Sequence, residues 1–120
     1  WQRRIDNYEC DYICCCRTYF KNGCLYLGDF DARNNWGCIE AKYADYWENI
    51  GVIQLPHHGS QYNYNSKIIS NNAFLIISAG FNNPYKHPHV KVLKELIRNN
   101  KRFAWVTEEI GSMIQFDVCK

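Results

Sequence analysis

The run Phe74-Leu75-Ile76-Ile77 does more than any other feature to limit the folds open to this chain. Uninterrupted apolar residues over strand length, with no alternating polar position, mark a strand covered on both faces. Val52-Ile53-Gln54-Leu55 is a second short apolar strand, cut off by Pro56, and Cys24-Leu25-Tyr26-Leu27 is a third. Between them, Ile39, Tyr43, Tyr46, Trp47 and Ile50 recur at helical spacing and predict an amphipathic helix over residues 39–50, with Gly51 as its stop. Further on, Val90, Leu93, Leu96 and Ile97 form the apolar face of another helix, which has Pro88 in its first turn and ends at Asn99-Asn100. Lys91, Lys94, Glu95 and Arg98 face water on that helix. Residues 61–72 are polar, with a loose helix around Ser66 to Ile69. Cys10 to Phe20 is β-like and turns back through Asn22-Gly23, a strong hairpin dipeptide. Phe103 to Thr107 and Met113 to Phe116 make two closing strands around a turn at Glu108 to Gly111. The expected order, β-β-α-β-(α)-β-α-β-β, is that of an α/β layered domain occupying residues 1–120 as one unit.

At 120 residues with 47% hydrophobic content, the chain is large enough for a real core. Fourteen Lys and Arg against twelve Asp and Glu, with no run of like charge, exclude a polybasic arm or an acidic tail as the main feature. No apolar stretch reaches the length of a membrane span, and the opening Trp1-Gln2-Arg3-Arg4 has no signal-peptide pattern. The missing initiator Met is expected of a piece of something longer. Seven cysteines are many for this length, but Cys14, Cys15 and Cys16 are consecutive, and strand neighbours point to opposite faces. Cys10, Cys24, Cys38 and Cys119 show no CxxC spacing. Reduced, core-filling cysteines and hence a cytoplasmic setting are expected.

Three polar clusters follow the apolar strands: Gly28-Asp29, His57-His58-Gly59-Ser60, and the loop carrying Asn82, Asn83, His87 and His89. In open α/β sheets, loops beyond the C-terminal strand ends converge over one crevice, so these strands can deliver an aspartate and all four histidines to one place. Imidazole with carboxylate is the ligand set of zinc, manganese or iron in hydrolases. Ser60, Asn82 and Asn83 are placed to hydrogen-bond a substrate or to orient ligands. Each cluster also has a plainer reading. Gly-Asp is a turn, His-His-Gly-Ser a helix start with a backbone-satisfied imidazole, and His87 an N-cap before Pro88.

The motifs Leu55-Pro56-His57-His58-Gly59-Ser60 and Ser78-Ala79-Gly80-Phe81-Asn82-Asn83-Pro84-Tyr85-Lys86-His87-Pro88-His89 closely resemble the metallo-β-lactamase superfamily. The branch it resembles is the hydrolase domain of ComEC-type DNA-uptake (competence) proteins and their stand-alone relatives. Leu27-Gly28-Asp29 and Thr107-Glu108-Glu109-Ile110-Gly111 match further parts of that pattern, so the resemblance runs from about Cys10 to the C-terminus. It implies Asp29 as a bridging metal ligand and His57 or His58 as a metal ligand. His87 or His89 would then be a catalytic group binding metal or transition-state charge, and the cofactor zinc or manganese. The superfamily's HxHxDH loop is absent, since no histidine precedes His57. The resemblance therefore implies only the C-terminal half of the αββα fold, a layered βα half-sandwich that is catalytically silent alone.

The leading expectation is a fragment of a metal-dependent phosphodiesterase or nuclease. Beside it stands a non-catalytic partner or oligomerisation module of the same fold. The exposed sheet face would then seek a missing N-terminal half, a partner chain or a second copy. A third reading, a nucleic-acid-binding module, has only the stripe Lys91, Lys94, Arg98, Lys101 and Arg102 behind it, which is more often a solvated helix face.

Overall fold

The computed structural model describes residues 21–114. The expected strand at Cys10 to Phe20, the Cys14–Cys16 triplet and the end of the Met113–Phe116 strand lie outside these residues. Four strands form one sheet: β1 (Gly23–Tyr26), β2 (Ile50–Gln54), β3 (Phe74–Ser78) and β4 (Phe103–Val106). They lie in the order β1-β2-β3-β4, and every neighbouring pair is parallel. Helix α1 (Trp36–Tyr43) runs on into a 3₁₀ stretch at Ala44–Asn49, and α2 (Val90–Arg98) precedes β4. The expected α/β class is what the molecule has.

Parallel strands that follow one another in both sequence and space need a crossover at each step. Crossovers of the usual right hand put all of these connections on one face. The core sits there. Leu25, Ile53, Leu75 and Phe103 share one register row, and the first three of these cluster with Trp36, Ile39, Val92 and Leu96. Each fully buried Leu or Ile contributes about 1.5–3 kcal/mol of hydrophobic stabilisation. On the other face, Cys24 and Tyr26 are exposed, and Gln54, Ile76 and Ala104 are partly so. Val52 and Phe74 on that face are buried but stand outside the core cluster.

Several local expectations change. Asn22 and Gly23 do not take the positive φ that a two-residue hairpin demands, and Gly23 is the first residue of β1. Gly51 does not stop a helix. The β1–β2 register skips it between Gly23↔Ile50 and Cys24↔Val52, which makes it the extra residue of a bulge. A Cβ there would lie 2.1 Å from the Lys21 carbonyl oxygen, so only glycine fits. Helix α2 buries Val92 and Leu96, one turn apart, whereas Val90 and Ile97 are exposed. Pro88 precedes the N-cap and does not enter the first turn. Beyond β4, Ile110–Ser112 is a 3₁₀ turn, and Met113 and Ile114 are not in a strand.

Candidate functional site

Because the sheet is parallel, the chain leaves β1, β2 and β3 at the same edge, and the three polar clusters follow directly. Backbone hydrogen bonds tie the loops together. The His57 amide donates to the Gly28 carbonyl at 2.7 Å, and the His89 amide donates to the Gly59 carbonyl at 3.1 Å. Gly59 has φ +81°, and a Cβ on it would stand 2.9 Å from the Pro88 Cβ, so the second loop lies flush against the third.

The histidine doublet is held in an unusual conformation. His57 (φ 46°, ψ 52°) and His58 (φ 57°, ψ 22°) are consecutive non-glycine residues in the left-handed region. Each such residue costs about 1–2 kcal/mol against its right-handed form, so the surrounding bonds must hold the turn in place. The Ser60 amide closes on the His57 carbonyl at 2.9 Å. His58 Nδ1 donates to the Ser78 carbonyl at 2.5 Å, which leaves Nε2 as the unprotonated nitrogen of the neutral ring. Strain of this kind concentrates at sites where a side chain must be aimed.

The turn aims His57 at His87, with ring centroids 5.5 Å apart, while His58 lies 6.0 Å from His57. Tyr85 stacks on His87 at 6.0 Å and 18°. The Nδ1 of His87 is buried without a hydrogen-bond partner. Burial holds the His87 imidazole below its ordinary pKa, and like-charge repulsion from His57, His58 and His89 adds to the effect.

The other expected residues have structural engagements. His89 is the N-cap of α2, its Nδ1 accepting from the Lys91 amide at 3.2 Å. The N-cap reading considered for His87 thus belongs to His89. Asn83 clamps its own loop: its amide nitrogen donates to the Gly80 and His87 carbonyls, and its Oδ1 accepts from the His87 amide. Ser60 is buried, its Oγ accepting from the Tyr62 amide at 3.2 Å. Asn82 and Asp29 are exposed, and the Asp29 carbonyl accepts from Asn63. Among the described residues, no group of three or more His, Cys, Asp or Glu side chains is placed to hold a metal ion. Two of the four imidazoles have already given a nitrogen to the backbone.

Sequence reading missed the aromatic residues of these loops. Tyr62, Phe81 and Tyr85 are 69%, 57% and 75% exposed, close to the histidines in the chain. Their signal was present as large aromatics in loops where turn residues were expected. No helix among the described residues is long and apolar enough to cross a membrane.

No family model matches this chain, and no solved structure matches it. It is 36% identical over 80 residues, 65% of its length, to Recombination protein 2 of Haemophilus influenzae. Those residues are 10% of that protein, so the chain spans about a tenth of the relative. These findings correct the expected family. The relative's name is that of a recombination protein, not of a metallo-β-lactamase or ComEC-type hydrolase. The assignment to that superfamily, and the metal-dependent phosphodiesterase or nuclease function drawn from it, are overturned. Short loop motifs such as Pro-His-His-Gly-Ser report where loops converge over a sheet edge, and that geometry is open to many chemistries.

Proposed function

We propose that this chain is a DNA-contacting part of a recombination protein, with the histidine edge facing the sugar-phosphate backbone. The likeness to Recombination protein 2 over 65% of the chain carries this reading. The edge has suitable chemistry. Neutral imidazoles donate N–H groups to phosphate oxygens, and protonated ones add positive charge. Lys86 and Arg33 are exposed in the same loops. Of the nearby carboxylates, Asp31 accepts from Asn34 and Glu108 accepts from the Phe81 amide at 3.0 Å, while Asp29 is exposed. The partly covered sheet face around Cys24, Tyr26 and Gln54 is where more of a longer protein, or a second copy, would pack. The free thiols of Cys24 and Cys38 suit a reducing, cytoplasmic compartment.

The test is fluorescence anisotropy with a labelled oligonucleotide across a salt series. Binding that weakens with salt, and on the order of tenfold in a His57→Ala, His87→Ala double variant, is expected. Absence of binding at low salt, or binding indifferent to both substitutions, would remove the proposal.

A further inference from the structure

Exposed large apolar side chains gather in the loops of the histidine edge, although Tyr46 before β2 is also exposed and the exposed Val90 directly follows His89. Those in the loops of the histidine edge, Phe30, Tyr62, Phe81 and Tyr85, are all aromatic, and Tyr26 closes β1 at the same edge. The exposed aliphatic ones, Val90, Ile97 and Met113, belong to α2 and to the segment after β4. Exposed rings suit a surface for flat ligands.

Two of these rings are supported from behind. Tyr85 lies nearly parallel to His87, at 18° between planes, and keeps 75% of its surface in solvent. Phe81 leans on Trp105 with centroids 5.4 Å apart, and Trp105 is itself fixed by its indole N–H donating to the Ala79 carbonyl at 2.6 Å. Backed rings with an open face lose little freedom when a second ring settles on them. Hydrogen-bond donors and a cation stand within the same loops: His57, His87 and Lys86.

We infer that the histidine edge is a stacking platform for single-stranded nucleic acid, in which Tyr62, Phe81 and Tyr85 receive bases while His57, His87 and Lys86 hold the phosphates between them. The inference rests on the DNA-contacting reading and narrows it. A duplex keeps its bases stacked on one another and has no free faces for these rings. A single strand does, and base–aromatic stacking is tolerant of sequence.

The experiment measures anisotropy of the full 120-residue chain with three labelled probes: an oligothymidine strand, an abasic strand of equal length and a hairpin duplex. The oligothymidine is expected to bind on the order of tenfold or more tighter than the abasic strand. Tyr62→Leu, Phe81→Leu and Tyr85→Leu should each reduce that preference. Tyr85→Phe should keep it, as should Tyr46→Leu, a change at an exposed ring in the 3₁₀ stretch before β2. Equal affinity for normal and abasic strands, or a preference for the duplex, overturns the platform and leaves the DNA reading standing. No binding of any probe overturns both, and passes the rings to a protein partner.

Discussion

On the helix-covered face of the sheet, Leu25, Ile53, Leu75 and Ile77 are buried at 6%, 0%, 0% and 0% exposure. A few residues further along the same strands, at the C-terminal edge, the chain takes up left-handed histidines, exposed aromatic rings and a buried imidazole nitrogen without a partner. The first region is apolar, regular and complementary at short range. The second concentrates backbone strain on one rim. Strands in register make the rim possible: the packed face holds the loop ends still, so the loops can carry conformations that a free peptide would abandon.

The largest expected effect falls on the packed face. Leu75→Ala should cost about 2–5 kcal/mol by lost transfer energy and cavity formation, read from urea denaturation. An equal loss from Tyr85→Ala at the rim would show that the two regions are not distinct in stability. Gly59→Ala comes next, at about 1–3 kcal/mol, because φ +81° and the close Pro88 both resist a side chain. Gly28→Ala, at φ +50° with nothing within 4 Å, should cost less, about 1 kcal/mol. Reversal of that order would mean that the contact between the second and third loops is not tight.

At the doublet the sign inverts. His57→Gly should raise stability by up to about 1 kcal/mol, since glycine carries no left-handed penalty, while weakening DNA binding. A loss of stability there would show that the imidazole holds the rim together. The smallest effect is that of pH. His87 is held below its ordinary pKa of 6.5, so the unfolded chain takes up its proton first as pH falls. The stability due to the neutral ring is present above pH 6.5 and is lost as pH falls from there toward the folded-state pKa. Thermal melts at descending pH should show a decline that His87→Gln flattens, and an unchanged slope in that variant would assign the decline to other groups.

The strand-forming runs were legible because apolar content over four or five residues is a local property. Val52–Leu55 and Phe74–Ile77 fall within two residues of β2 and β3 at either end. The gathering of His57, His58 and His87 beside Asp29's loop was also legible, since each cluster follows a strand and only the parallel pairing had to be supplied. The face buried by α2 was not, because Val90 and Val92 are equally apolar and the choice depends on where the sheet lies. Nor was the role of Gly51, which is decided by the approach of Lys21 from far along the chain.

Sequence thus sufficed for the four described strands, for the α/β class and for the gathering of His57, His58 and His87 at the rim, since these follow from the order of apolar and polar residues along one dimension. Tertiary packing alone chose which histidine caps a helix, which is bonded to Ser78 and which stacks on Tyr85. Those choices rest on distances of a few ångströms between loops that no local pattern encodes.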